Sequence, residues 1–161
     1  MTHYSTIKTA WGELLLTAEN DTLTGIYFLD RAHTLAVKPD WQSSPDLPVF
    51  RETESQLRDF AAGKRQEFNL PLAPKGTPFQ KEIWKQISLI PLGETISYSE
   101  LAQRAGSPTA IRAAGAATGR NPLSIVIPCH RIIGRSGAIT GYAGGLERKR
   151  ALLALENVTL L

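Results

Sequence analysis

The sequence predicts two parts of different fold class, an α/β unit over residues 1–74 and a mainly helical unit over residues 75–161. The boundary is drawn at residues 69–76, where two prolines and a glycine interrupt any periodic element. Before this break apolar runs flank a polar turn, and after it helix-capping patterns recur. With 42% apolar and 20% charged residues, the 161-residue chain is expected to fold around a buried core.

The first part shows one hairpin pattern and one helix pattern. Apolar runs over residues 12–18 and 23–29 flank a polar turn, which predicts two antiparallel strands. Apolar residues then recur with helical spacing from Val49 to Ala61, and Gly63 supplies a stop. His3 and His33 stand alone in the sequence and are expected to be surface or packing residues.

Two capping patterns open the second part. Thr77 offers an N-cap hydroxyl, Pro78 suits the first helical position and Gln80 the third, so a helix is predicted from about Pro78 to Leu89. The segment Ser97-Tyr98-Ser99-Glu100 is a second capping box, and it predicts a short helix that ends at Gly106.

A third helix is predicted to begin at Ser107-Pro108 and to run through Ala117, after a turn of about three residues around Gly106. This spacing is typical of a helix-turn-helix that reads nucleic acid, and equally of two helices that only pack together. Residues 76–161 carry a net charge of +5, whereas residues 1–75 carry −2. That asymmetry fits a polyanionic partner or an ordinary solvated surface.

Cys129 is the only cysteine of the chain and is followed directly by His130 and Arg131. A single cysteine cannot form an intramolecular disulfide or a multi-thiolate metal site, so it is either an inert buried thiol or a reactive one. The apolar segment 123–127 is predicted to be a strand that ends at Pro128, which places Cys129 where a buried element reaches the surface. The adjacent acceptor and cation favour a reactive thiol.

Several classes are not predicted. The sequence has no run of about 18 apolar residues and no basic segment followed by an apolar one at its start, so we expect a cytoplasmic protein without a membrane span. The three histidines and one cysteine lack metal-ligand spacing, so no metal is predicted. No cofactor is expected, and the glycine cluster over residues 141–145 is interpreted as a pocket-forming loop.

The segment Ile127-Pro128-Cys129-His130-Arg131-Ile132-Ile133-Gly134, with Gly141-Tyr142-Ala143-Gly144-Gly145-Leu146 after it, resembles the active-site region of O6-alkylguanine-DNA alkyltransferases. The resemblance extends in order over residues 77–156. It implies a ribonuclease-H-like N-terminal domain followed by a winged-helix-like helix-turn-helix domain that binds DNA and accepts the alkyl group.

The resemblance implies single-turnover repair in which Cys129 permanently takes the alkyl group from O6-alkylguanine, and also from O4-alkylthymine. A thiol with a pKa near 8.5 is only slightly ionised at neutral pH, so a base must assist it. By similarity, His130 takes the thiol proton through a water molecule and Glu156 orients His130. The last helix is expected to dock through four apolar residues: Leu146, Ala151, Leu152 and Leu155.

The resemblance also implies contacts to a base that has been rotated out of the duplex. The Tyr98 hydroxyl would serve guanine N3, the carbonyls of Cys129 and Ile132 would accept the exocyclic amine, and the Ala143 amide would donate to O6. The remaining implied members of this pocket are Tyr142 and Lys149.

The implied partner is double-stranded DNA that contains alkylated bases, bound through its minor groove by a monomer and largely independently of sequence; cooperative binding is left open. Arg112 would fill the space left by the flipped base, and Ala113 would allow close packing. Phosphate contacts are expected at a helix N-terminus near Ser107. Asn121 would bridge the recognition helix to the active-site turn, and Arg131 is expected to support the structure.

Two other classes compete with this interpretation. A lesion-binding relative without chemistry would lack the cysteine, whereas Cys129 is present. A cysteine hydrolase could use Cys129, His130 and Glu156 and would need no DNA. The predicted helix-turn-helix and the basic second part argue against the hydrolase.

Overall fold

The computed structural model describes residues 1–31, 36–138 and 140–158. The chain divides into two compact units, Met1–Lys75 and Gly76–Leu161. This division differs by one residue from the boundary drawn on the sequence. His33 lies outside the described residues, so its predicted role stays a prediction.

The first unit contains a four-stranded sheet in the order β3-β2-β1-β4. Strands β1 (His3–Thr9), β2 (Gly12–Glu19) and β3 (Thr22–Phe28) are antiparallel neighbours, and β4 (Gln42–Ser43) joins β1 in parallel. The predicted hairpin is confirmed as β2 and β3. Its turn residues Asn20 and Asp21 have φ values of 50° and 57°, the left-handed pair that tight hairpin turns require.

Helix α1 (Pro48–Ala61) completes the first unit and confirms the helix predicted there. The chain leaves the helix through Gly63, whose φ of 74° suits a residue without a side chain. The helix packs against β1 and β3. Its buried apolar residues lie on one face: Val49, Phe50, Leu57 and Phe60.

The second unit begins with two helices; the capping box predicted for the first is confirmed, whereas at the second the Ser97 cap forms and Glu100 Oε1 instead accepts from Arg104 Nε at 3.1 Å. In α2 (Pro78–Ser88) the Thr77 hydroxyl accepts from the Gln80 amide at 3.1 Å, and the Gln80 side chain accepts from the Thr77 amide at 2.9 Å. In α3 (Tyr98–Arg104) the Ser97 hydroxyl accepts from the Glu100 amide at 3.2 Å, and Gly106 ends the helix with a φ of 79°.

Helix α4 (Ile111–Gly119) begins three residues later than Pro108, where the sequence predicted its start. Residues 108 and 109 form a turn instead, because the Ala110 amide donates to the Ser107 carbonyl at 2.9 Å. Proline fits the second position of such a turn as well as the first turn of a helix, and here the turn forms. Ser107 therefore does not cap α4, and the connection over residues 105–110 is longer than predicted.

The strand predicted over residues 123–127 does not form, because residues 124–126 are a turn and Ile127 is a bend. The short strands that do form here are β5 (Ile96–Ser97) and β6 (Ile132–Ile133), which pair in parallel. They connect the start of α3 to the chain just after Cys129.

Helix α5 (Leu146–Leu155) closes the second unit, but three of its four predicted docking residues are not buried. Leu146 is 40% exposed, Ala151 is exposed and Leu155 is half-buried, whereas Leu152 is buried. The buried positions are Lys149, Leu152, Leu153 and Glu156, which follow the i, i+3, i+4, i+7 spacing of one helical face. Two of these four residues are charged, so the apolar pattern of the sequence does not reveal the buried face.

Among the helices that the structure describes, none has the length and apolar character needed to cross a membrane.

Candidate active site

Cys129 begins a 3₁₀ turn over Cys129–Arg131 and is 5% exposed. Burial raises the pKa of its thiol, while a hydrogen bond with the Asn121 side chain and the nearby Lys149 charge act in the opposite direction. The net shift is upward, so the group is a neutral thiol at neutral pH. A reaction that needs the thiolate therefore needs a base beside it.

His130 is the adjacent base, and it is completely buried. Its Nε2 lies 2.7 Å from Oε2 of Glu156. Burial, together with the charges of Arg131 and Lys149, lowers the pKa of His130 more than Glu156 raises it, so the imidazole is neutral near pH 7. Nδ1 is buried and has no hydrogen-bond partner among the described residues.

Glu156 is 1% exposed and directly follows the last residue of α5. Burial raises the pKa of its carboxyl, but hydrogen bonds and charge from His130 and Arg131 outweigh this and bring the pKa to about 2. Glu156 is therefore ionised at neutral pH, and an ionised carboxylate only accepts hydrogen bonds. Nε2 of His130 must carry the proton of this bond, which leaves Nδ1 of the neutral ring as an acceptor.

Arg131 supplies the other donors to this carboxylate. Its Nε donates to Oε1 of Glu156 at 2.8 Å and its Nη2 donates to Oε2 at 2.9 Å. Its Nη1 donates to the Ile90 carbonyl at 2.6 Å. The sequence assigned Arg131 only a supporting role. An arginine beside an apolar stretch indicates that it has a buried acidic partner. It does not indicate which acidic residue that partner is, and here the partner lies 25 residues away.

The segment before Cys129 is held by Asn121, which is buried. Asn121 Nδ2 donates to the Ile127 carbonyl at 2.8 Å, and Asn121 Oδ1 accepts from the Leu123 amide at 2.9 Å. The Ile127 amide donates to the Leu123 carbonyl at 2.9 Å. Both ends of the Asn121 amide thus bind the turn that carries the cysteine, immediately after α4.

Two three-residue turns make this segment unusually tight. The Val126 amide donates to the Ser124 carbonyl at 2.9 Å across Ile125, whose φ is 74°. The Cys129 amide donates to the Ile127 carbonyl at 2.8 Å across Pro128, with φ −80° and ψ 63°. The second conformation is common, whereas the first is rare and strained, above all for a β-branched residue. The backbone at Ile125 therefore stores strain four residues before the thiol.

Three further side chains connect the elements around the thiol. The Tyr98 hydroxyl, at the start of α3, lies 2.9 Å from Thr140 Oγ1. Lys149 is completely buried, and its Nζ donates to the carbonyls of Ile132 at 2.6 Å and Thr140 at 3.2 Å. Burial lowers the pKa of Lys149. Thr140, which belongs to none of the motifs recognised in the sequence, thus contacts both Tyr98 and Lys149.

Tyr142 and Ala143 lie on the loop before α5. The Tyr142 ring meets the His130 ring edge to face, with centroids 6.4 Å apart and an interplanar angle of 89°. Burial raises the pKa of Tyr142 well above its usual value. Ala143 is exposed.

The residues expected to contact DNA differ in their exposure to solvent and in their position in the fold. Arg112 and Ala113 are exposed in the first turn of α4, Ser107 is half-buried in the preceding connection, and Asn121 is buried as described. The part of the chain that the structure describes contains no group of three or more histidine, cysteine or acidic residues that could hold a metal ion.

These features define a class of protein, one with a buried cysteine-histidine-carboxylate site in the same unit as a pair of helices in a helix-turn-helix arrangement. The family model described as the ribonuclease-like domain of 6-O-methylguanine DNA methyltransferase matches residues 2–74, and the model of the DNA binding domain of the same family matches residues 78–158. The chain belongs to the 6-O-methylguanine DNA methyltransferase family.

Individual relatives are similar to this chain over nearly its whole length. The methylated-DNA–protein-cysteine methyltransferase of Mycobacterium tuberculosis is 44% identical over 156 residues, which cover 97% of this chain and 93% of the relative. The protein of the same name from Methanosarcina mazei is 42% identical, with coverages of 98% and 99%. The crystal structure of M. tuberculosis OGT in complex with DNA superposes with a TM-score of 0.88 and covers 96% of this chain and 92% of that one.

The comparisons confirm the family resemblance and the fold class predicted from the sequence, a ribonuclease-like α/β domain followed by a helical DNA-binding domain. A methyltransferase from Pyrococcus kodakaraensis, at 23% identity and a TM-score of 0.64, shares the fold over 98% of this chain.

Strain at Ile125 generates a prediction that separates backbone from side-chain effects. Ile125→Ala and Ile125→Gly both remove the buried side chain, but only glycine relieves the left-handed backbone. We expect the glycine variant to have the higher free energy of unfolding, by about 1 kcal/mol, measured by urea denaturation.

The matched control is Ile127, which is also buried but has no positive φ. There the order should reverse, with Ile127→Gly less stable than Ile127→Ala by about 0.5–1 kcal/mol. The same order of stability at both positions would show that Ile125 is not strained.

Proposed function

We propose that this protein repairs alkylated DNA by transferring the alkyl group of O6-alkylguanine to Sγ of Cys129 in a single, irreversible turnover. The observation that carries the proposal is the hydrogen bond between neutral His130 and ionised Glu156 beside the only thiol of the chain. It supplies the proton acceptor that a buried neutral thiol requires.

The reaction proceeds by displacement at the alkyl carbon. The thiol proton passes to Nδ1 of His130, directly or through a water molecule, and Sγ forms a bond to the alkyl carbon as the bond from that carbon to O6 breaks. The electron pair of the broken bond goes to guanine, which takes up a proton, so a thiol and an alkylguanine become a thioether and guanine. The thioether is stable, which accounts for a single turnover.

The leaving group is stabilised by donors that converge on the base. Tyr98 donates its hydroxyl to N3, and in the free protein Thr140 holds this hydroxyl at 2.9 Å. The amide of Ala143 serves O6, beside the Tyr142 ring. The carbonyls of Cys129 and Ile132 accept from the exocyclic amine. Ile132 already accepts from Lys149, but a carbonyl oxygen has two lone pairs.

DNA binding rests on the exposed start of α4 and on the positive charge of the second unit. Arg112 occupies the place of the flipped base, Ala113 packs in the minor groove, and contacts to phosphates near Ser107 make binding salt-dependent and largely independent of sequence. Asn121 connects α4 to the turn that carries Cys129. We propose that the binding species is a monomer in the cytoplasm.

Incubation with a duplex that carries one O6-methylguanine, followed by peptide mass spectrometry, tests the transfer. We expect one methyl group per protein, on Cys129, and none in Cys129→Ser. Binding without methyl transfer would contradict the proposal and favour a lesion sensor. Replacement of the lesion by O4-methylthymine tests the second substrate, and unmodified Cys129 there would restrict the activity to guanine.

Arg112→Ala tests base flipping. We expect its single-turnover transfer from duplex DNA to be slower by about 10- to 100-fold, because the vacated stack is no longer filled at a cost of a few kcal/mol. Transfer from a single strand, which needs little unstacking, should be much less affected.

The control variant is Arg120→Ala, which removes an exposed arginine that follows the last residue of α4. It should weaken binding modestly without this difference between duplex and single strand. An equal loss on both substrates in Arg112→Ala would mean that Arg112 contributes only general affinity for DNA.

A further inference from the structure

Arg131 is more firmly held than a simple supporting residue requires. It is buried in the 3₁₀ turn next to His130, and all three of its nitrogens donate hydrogen bonds. Two go to the two oxygens of Glu156 and the third goes to the carbonyl of Ile90, just beyond α2. The flat guanidinium suits this bidentate pairing, whereas an ammonium group does not.

We infer that Arg131 is a positioning residue for alkyl transfer, which holds both oxygens of Glu156 so that Glu156 in turn fixes His130 with Nδ1 as the proton acceptor. The inference deepens the proposed function, since it rests on His130 as the base for Cys129. It assigns Arg131 no contact with DNA, with the alkyl group or with the thiol.

The hydrogen-bond geometry supports this role. Among the described residues, three side-chain hydrogen bonds reach Glu156, and two of them come from Arg131. Without Arg131, the carboxylate would keep only the bond to His130, and its side-chain torsions would no longer be fixed at both oxygens. The Ile90 carbonyl fixes the guanidinium in turn, so the orientation of the imidazole is ultimately set by backbone atoms.

Arg131 also affects the pKa of His130, because it is one of several charged groups that face the imidazole. Lys149 faces it from α5 and Glu156 from just after α5, Arg131 lies in its own turn, Cys129 precedes it, and the Tyr142 ring, on which the Arg148 charge also acts, meets it edge to face. Arg131 and Lys149 lower the pKa of His130, whereas Glu156 raises it. Loss of the Arg131 cation therefore raises the pKa of both His130 and Glu156, and the pair reaches its active protonation state only at higher pH.

The experiment compares Arg131→Met, Arg131→Lys and the wild-type protein from pH 5.5 to 9. One readout is single-turnover methyl transfer from an O6-methylguanine duplex, and the other is the rate at which iodoacetamide labels Cys129. In Arg131→Met we expect the acid limb of both profiles to move up by about half a pH unit or more, so that activity at pH 6 falls several-fold more than at pH 8.5.

Arg131→Lys keeps the positive charge but removes the planar guanidinium that pairs with both oxygens of Glu156. It should leave the acid limb near its wild-type position and lower the rate at all pH values. The control is Arg58→Met, which removes an exposed arginine of α1 in the other unit and should change neither profile.

A purely structural role would lower the rate of Arg131→Met by the same factor at every pH, with only its melting temperature reduced, and this result would overturn the inference. If Arg131→Met does not fold, a wild-type rate in Arg131→Lys would overturn it instead. If the wild-type protein fails to accept a methyl group while the iodoacetamide profile shifts as expected, the proposed function fails, and what stands is that Arg131 positions His130 as the base for Cys129.

Discussion

The buried carboxylate of Glu156 is the group on which the rest of the second unit depends. An ionised carboxylate out of contact with water costs several kcal/mol unless donors compensate it, and here His130 and Arg131 supply three hydrogen bonds. Each donor comes from the 3₁₀ turn of the thiol, and Arg131 also reaches the chain beyond α2. A single acidic side chain after α5 therefore brings the base, the nucleophile and the helical scaffold to one point.

Burial also lowers the reactivity of the Cys129 thiol. Cys129 is neutral at rest because water is excluded from it, and a neutral thiol reacts slowly with stray electrophiles and oxidants. That property suits a protein that can use its nucleophile once. Reactivity then depends on geometry rather than on a permanently ionised sulfur. The strained turn at Ile125 and the bonds of Asn121 fix the backbone on one side of Cys129, and His130 lies on the other.

Sequence patterns predicted correctly those features of the fold that are determined by residues close together in the chain. The capping box at Thr77 and the N-cap at Ser97 were predicted correctly because the partners of each hydrogen bond lie within four residues. The start of α4 was not, because proline fits a turn and a helix equally well. The segment before Cys129 has the composition of a strand, but Asn121 supplies the hydrogen bonds that a neighbouring strand would otherwise provide.

The sequence predicted the functional site less completely, because several of its contacts join residues that are far apart in the chain. Cys129 and His130 were prominent because they are adjacent in a chain with one cysteine. Glu156 was assigned through the family resemblance alone, since its pairing with His130 spans 26 residues. The bidentate pair with Arg131 and the Thr140 contacts depend on how α5 and the loop before it fold back, and no periodicity in the sequence encodes that. The buried face of α5 was missed because Lys149 and Glu156 interrupt its apolar pattern.

The most direct test of this account is the ¹⁵N NMR spectrum of His130 in the wild-type protein near neutral pH. We predict a neutral ring with the proton on Nε2, and an Nδ1 chemical shift typical of an unprotonated nitrogen. A proton on Nδ1 of the neutral ring would contradict it, because Glu156 would then not set the orientation of the base. An imidazolium throughout the neutral range would contradict it as well, since His130 would have no free acceptor for the proton of Cys129.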